Sequence, residues 1–253
     1  MTDEATGGWF SGDPDTGTTG PRLFCFPHGG GGAGAFRRWK AELAPSIEVV
    51  PVHLPGRESR FAEPLLTSVA AVVTALVGPL SARVRGPFAL FGHSMGALLA
   101  YETAAALTDR GLPPAHLFAS GHHPPHLPPA TPAMHGLPDA ELVARLAEFG
   151  GTPPELLGDP ALMELLLPRL RADFEICETY RYAARPPLPV PITVFAGRDD
   201  PSVDVGELGR WGDLTTEGAE VHILDGGHFG FAGPDGNGVL PMVAHAWRGI
   251  SRR

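Results

Sequence analysis

The amino-acid sequence predicts an α/β fold, a mostly parallel, doubly wound sheet with a helical insertion, and three observations predict it. Short apolar runs recur along the chain: R-L-F-C-F at 22–26, I-E-V-V-P-V at 47–52, P-F-A-L-F at 87–91, H-L-F-A-S at 116–120 and I-T-V-F-A at 192–196. Each ends at Gly, Pro or His, as strands buried on both faces do. Helical patterns fall between them at 65–83, 95–110 and near 239–251, and strands alternating with helices build a parallel sheet covered on both sides. The third observation is the break in that alternation from about 122 to 187, where helical patterns occur without a convincing strand.

Taken in order, residues 1–20 are rich in Gly, Thr and Asp, with only Trp9 and Phe10 able to reach a core, and read as a loose arm. Residues 21–253 form the one domain expected of the chain. Inside the insertion, 139–149 opens with Asp139 as a candidate N-cap, and 159–167 has Asp159 as N-cap with Pro160 in the first turn. Pro168 is expected to end or kink that second helix. The leucines at 156, 157, 162, 165, 166, 167 and 170 read either as the core of a helix pair or as an apolar lid over a site.

Composition narrows the function classes. The 253 residues are 43% hydrophobic and 19% charged, enough for a substantial core. A formal charge of −9 leaves no overall basic footprint for nucleic acid or an anionic membrane. No stretch approaches the roughly 18 apolar residues of a membrane span. The two cysteines, Cys25 and Cys177, match neither a disulfide framework nor a zinc spacing, and the N-terminus has no signal-peptide pattern. A cytoplasmic protein is expected.

The chemistry begins at G-H-S-M-G, residues 92–96, between the strand at 87–91 and a helical pattern. A serine on such a sharp strand-to-helix turn exposes its hydroxyl, and the flanking glycines remove side chains where strand and helix crowd, so Ser94 is the candidate nucleophile. A serine needs a general base, itself oriented by a carboxylate. His228, in G-G-H-F after the apolar run at 221–224, is the candidate base. The acid then lies between them in sequence: Asp200 in G-R-D-D fits the offset best, with Asp199 as its rival.

An oxyanion hole requires backbone donors aimed at the substrate carbonyl. P-H-G-G-G-G-A-G at 27–34 follows the first strand, and the N–H groups of Gly29 and Met95 are the candidate pair. Gly29, Gly31 and Gly34 also satisfy G-x-G-x-x-G, the dinucleotide-binding pattern. That rival lacks an acid at the end of the next strand, where no Asp or Glu occurs before Glu58. His122, His123 and His126 have no carboxylate or cysteine at ligand spacing and read as exposed histidines on a prolyl loop; His28 and His93 read as structural. Arg37, Arg38, Lys40, Arg57 and Arg60 form a local basic concentration, either a solvated face or a docking patch for an acidic partner.

Together, P-H-G-G-G-G-A-G-A-F-R-R-W at 27–39, L-P-G-R-E-S-R at 54–60, G-H-S-M-G-A at 92–97, F-A-G-R-D-D-P at 195–201 and G-G-H-F at 226–229 resemble the type II, or editing, thioesterases of modular polyketide and nonribosomal peptide synthetases. These belong to the α/β-hydrolase superfamily. The resemblance implies that fold, with the 122–187 insertion as its helical lid. It also implies hydrolysis of aberrant or stalled acyl groups from the phosphopantetheine thiol of acyl or peptidyl carrier proteins through an acyl-enzyme. No metal or redox cofactor is expected, phosphopantetheine belonging to the carrier-protein substrate. Two positions depart from the family: Gly29, where Ala is frequent, and Gly230, where an aromatic often follows H-F. The alternatives are a generic esterase of small free esters and a non-catalytic hydrolase-like binding module.

Overall fold

The computed structural model describes residues 7–10, 20–129, 131–230 and 238–250. Six strands form one parallel sheet: β1 (Arg22–Phe26), β2 (Glu48–Pro51), β3 (Phe88–His93), β4 (His116–Ser120), β5 (Ile192–Gly197) and β6 (Ala219–Leu224), in the order β2-β1-β3-β4-β5-β6. Neighbouring registers pair Leu23 with both Val49 and Ala89, and Phe118 with both Phe91 and Thr193. The expected α/β class and the placement of all five predicted strands agree with this sheet.

Side chains alternate across it with the two-residue period of a strand. From β1, Phe24 and Phe26 enter the core beneath α2 (Val69–Arg83) and α3 (Met95–Thr108). Leu23 and Cys25 enter the opposite core, with Trp39 of α1 (Arg37–Leu43) and Val243 and Trp247 of α7 (Val239–Ile250). Helix α1 has no counterpart among the expected helices; its seven residues bury only Trp39 and Leu43, too short a pattern to show a period.

Trp9 and Phe10 are buried in the first of these cores, with Trp9 under the Arg60 guanidinium at 4.4 Å and Phe10 edge-on to Phe24 at 5.6 Å. The rest of the expected N-terminal arm, 1–6 and 11–19, lies outside the described residues.

The insertion holds α4 (Asp139–Phe149), α5 (Pro154–Leu157) and α6 (Pro160–Glu178) around a separate apolar cluster of Met134, Leu142, Leu146, Met163, Leu167 and Leu170. Asp159 caps α6, its Oδ1 accepting from the N–H groups of Ala161 and Leu162 at 3.0 and 3.2 Å. Two expectations are corrected. Pro138, not Asp139, occupies the N-cap of α4, and the Asp139 carboxylate instead pairs with Arg171 at 2.5 Å. Of the two outcomes expected at Pro168, an end or a kink, the end does not occur, since α6 continues to Glu178. The proline removes one backbone bond and crowds the carbonyl of Glu164, but Leu170, Ala172, Asp173 and Ile176 are all buried beyond it, and that packing holds the last turns.

The chain moves from β1 outward to β2 and returns past β1 to β3, so the connections after β1 and β3 diverge at the carboxyl edge of the sheet. That edge, at a topological switch point, is where open parallel sheets leave a crevice for ligands. The loops following β1, β3, β5 and β6 carry all five candidate site residues there.

Candidate active site

Ser94 joins β3 to α3 with φ 55° and ψ −124°, a left-handed conformation that costs a non-glycine residue about 1–3 kcal/mol. The surroundings impose it. The Ser94 N–H donates to the Ser120 carbonyl at 2.7 Å, and its own carbonyl accepts from Ala97 N–H at 2.8 Å. A Cβ on Gly92 would stand 2.0 Å from the Gly96 oxygen, and one on Gly96 would stand 2.2 Å from the Phe26 oxygen. Both positions therefore require glycine for close approach. Met95 opens α3, where N–H groups have no acceptor within the helix and the helix dipole is positive.

His228 is buried, and its Nδ1 lies 2.7 Å from Asp200 Oδ2. Because a carboxylate can only accept, this nitrogen carries the proton and Nε2 is left as the basic one. Asp200 is itself buried, whereas Asp199 is exposed. Of the two rival acids, then, only Asp200 meets the imidazole. Burial alone would raise the Asp200 carboxyl, but the bond and charge of His228 and two bonds from Ser202 outweigh it and hold its pKa below the usual value. Ser202 was not singled out in the sequence. Its hydroxyl donates to Asp200 Oδ1 at 2.6 Å and stands 3.0 Å from His228 Nδ1, while its N–H reaches the same Oδ1 at 2.9 Å. A serine two residues after an aspartate, closing a turn on that carboxylate, is the signal that could have found it.

The glycine loop is held from two sides. On one, Gly30 N–H donates to Asp173 Oδ2 at 2.7 Å, and Arg57 bonds both oxygens of Asp173 and also the Gly31 carbonyl. On the other, the Glu58 carboxylate accepts from Ala33 and Gly34 N–H, both at 2.9 Å. Gly29 lines the same cavity as Ser94 and His228. A Cβ there would meet only Asp173 Cβ at an ordinary 3.6 Å, so an alanine would fit. Asp173 carries no sequence signal of its own; its partner Arg57 is 116 residues away.

His93 and His28, beside the site, are scaffolding. His93 bonds Ser120 Oγ at 3.0 Å and packs its ring 4.8 Å from that of His228, and His28 bonds the Gly29 carbonyl at 2.8 Å. Burial lowers the pKa of both, which keeps them neutral beside His228. The expectation of exposed histidines on the prolyl loop is corrected: His123 and His126 are half-buried, and His122 is buried, bonds the His123 carbonyl at 2.6 Å and accepts from Trp211 Nε1–H through its own carbonyl. Among the described residues no group of three or more His, Cys, Asp or Glu is placed to hold a metal. The basic concentration is corrected too. Arg57 and Arg60 are buried, paired with Asp173 and Glu63, and only Arg37, Arg38 and Lys40 are left on the surface.

Above Ser94 and His228 lies a cavity of about 280 Å³, walled mainly by Leu146, Phe149, Leu156, Leu166, Leu170 and Phe174 of α4 to α6. Both readings of the leucine stripe hold: Leu167 and Leu170 build the helix-pair core, and Leu156, Leu166 and Leu170 face the cavity. A half-buried serine that lines a small apolar chamber, beside a buried imidazole–carboxylate pair, suits acyl transfer to serine.

The thioesterase domain family model matches residues 21–245. Linear gramicidin dehydrogenase LgrE of Brevibacillus parabrevis is 43% identical over 82% of this chain and 80% of its own length. Gramicidin S biosynthesis protein GrsT of Aneurinibacillus migulanus is 41% identical over 82% of both. Among solved structures, the type II thioesterase BorB from the borrelidin biosynthetic cluster superposes with a TM-score of 0.83 at 37% identity, covering 90% of this chain and 92% of that one.

Proposed function

The chain belongs to the thioesterase domain family, and from that premise we propose that it is an editing thioesterase whose substrates are acyl groups stalled on the phosphopantetheine thiols of carrier proteins in a polyketide or nonribosomal peptide synthetase. The observation that carries the reading is the 2.7 Å His228–Asp200 pair beneath the apolar chamber that Ser94 lines.

In this reading Ser94 Oγ attacks the thioester carbonyl while His228 Nε2 takes its proton. Asp200 orients the ring and stabilises the imidazolium. The N–H groups of Gly29 and Met95 hold the oxyanion, and as the tetrahedral intermediate collapses the C–S bond breaks and His228 returns its proton to the departing thiolate. Water then enters, His228 deprotonates it, and attack on the ester releases the carboxylic acid and regenerates Ser94. Apart from the substrate and that water, every step uses groups of this chain.

The nucleotide-binding alternative is disfavoured by Glu58. A pyrophosphate on the glycine loop would need backbone donors that this carboxylate already occupies at Ala33 and Gly34, and would meet its negative charge. A cytoplasmic setting follows from synthetase partners and is supported by the free thiols of Cys25 and Cys177. No described helix is long and apolar enough to cross a membrane.

The test is intact-protein mass spectrometry of a phosphopantetheinylated carrier protein loaded with acetyl or propionyl, incubated with wild type and with Ser94→Ala. Loss of the acyl mass with wild type alone is expected. Retention with both, alongside turnover of a small free ester by wild type, would instead identify a generic esterase.

A further inference from the structure

Arg169 is the one cation in the wall of the chamber apart from the histidines, and it stands on α6 between Leu166 and Leu170, which share that wall. It is half-buried. Its Nε is shielded from solvent with no hydrogen-bond acceptor, and among the described residues it forms no ion pair. Asp173 and Glu58 stabilise its charge from a distance, but their oxygens bond elsewhere. Both Asp173 oxygens are taken by Arg57 and Gly30, and Glu58 is held by Ala33 and Gly34.

A guanidinium keeps its proton in a protein, so this donor set cannot escape its situation by becoming neutral. A shielded donor left unmatched carries its full desolvation cost, and the geometry that relieves it best is a planar or tetrahedral oxyanion taken through two N–H groups. Apolar neighbours strengthen such a contact by keeping water from competing. The arrangement is therefore poor for an acyl group that is hydrocarbon throughout and suited to one that brings a negative charge.

We propose that Arg169 is a specificity-determining subsite for an oxyanionic group carried by the substrate. The inference rests on the thioesterase reading above. The same chemistry has two sources, a carboxylate at the far end of a dicarboxylic acyl group or the phosphate of the pantetheine arm.

The test compares four thioesters, acetyl and malonyl on pantetheine and on phosphopantetheine, with wild type, Arg169→Gln and Arg169→Lys. The readout is the ratio of kcat/KM between a charged substrate and its uncharged counterpart within each protein, so loss of folded protein cancels. If the acyl carboxylate is the ligand, the malonyl-to-acetyl ratio on pantetheine falls about 10- to 100-fold in Arg169→Gln. If the phosphate is the ligand, the phosphopantetheine-to-pantetheine ratio for acetyl falls instead. Arg169→Lys, which keeps the charge and loses the fork, regains part of whichever ratio was lost. Both ratios unchanged in Arg169→Gln, with wild type active, would overturn the subsite and leave the thioesterase reading standing. A wild type inert toward all four thioesters and toward the acyl-loaded carrier protein would overturn both.

Discussion

Asp173 of α6 and Arg57 of the loop after β2 form a buried two-point ion pair, with Nη2 2.6 Å from Oδ1 and Nη1 2.9 Å from Oδ2. Through Gly30 N–H and the Gly31 carbonyl the same pair grips the loop that carries Gly29. The insertion is thus bonded to the candidate oxyanion loop as well as roofing the cavity. Removing one partner of such a pair strands the other's charge, so Asp173→Ala should destabilise the fold by about 3–5 kcal/mol. A double-mutant cycle with Arg57→Ala, followed by urea denaturation, should show the double variant losing much less than the two single losses together. Strict additivity would mean the pair is not coupled.

Ser94→Ala and His228→Ala should each lower kcat by several orders of magnitude, and Asp200→Asn by about 10⁴, since an amide no longer holds the productive imidazole tautomer. Asp199→Asn, at an exposed side chain, should stay near wild type. Steady-state kinetics on an acyl-pantetheine checks all four, and inactivity of Asp199→Asn with a working Asp200→Asn would reverse the assignment.

Ser202 adds a hydroxyl bond and a backbone N–H bond to the carboxylate that His228 uses. Ser202→Ala should lower kcat about 5- to 10-fold, the worth of one hydrogen bond, with little change in KM. A KM effect at constant kcat would make Ser202 a substrate contact instead.

Phe149 closes one side of the cavity with its ring 5.7 Å from that of His228. Phe149→Ala should move the preferred acyl chain to greater length, with about a tenfold gain in kcat/KM for the longer chain relative to acetyl. An unchanged length profile from acetyl to octanoyl would show that this wall does not set chain preference.

His122 predicts a pH dependence of stability. Burial, reinforced by His123, lowers its folded pKa to about 3. The unfolded chain takes up a proton near pH 6.5 that the fold refuses, so below that value the unfolded state binds more protons and stability falls with pH. Between pH 6.5 and 5 this one group removes about 2 kcal/mol. Urea midpoints at pH 7 and pH 5 should therefore separate less in His122→Asn than in wild type. An equal separation would show that this histidine does not contribute.

The strands were legible because a parallel sheet covered on both faces leaves uninterrupted apolar runs such as R-L-F-C-F, and Ser94 was legible because both close approaches, of Gly92 to Gly96 and of Gly96 to Phe26, leave their mark as glycines within one five-residue window. The choice between Asp199 and Asp200 was harder, since adjacent side chains leave a turn in different directions and only the fold fixes which one faces His228. Arg57 and Arg60 looked like surface charge because what buries them is invisible in a local window, although the ion-pair partner of Arg60, Glu63, is only three residues on. Asp173 is 116 residues from Arg57, and the aromatic beneath Arg60 is Trp9. Pro168 misled for a related reason: local propensity ends a helix, and tertiary burial of the next two turns overrides it.

Trp9 and Phe10 precede the first strand, yet they fill core volume beneath α2 and α3. The region matching the family begins only at residue 21. An expression boundary drawn there would cut away two aromatics and leave Phe24 and the Arg60 guanidinium facing a hollow. Removing one such ring from a core costs about 3–5 kcal/mol, of the order of a domain's whole margin against unfolding. For recombinant work on this chain, the safe start is upstream of Trp9.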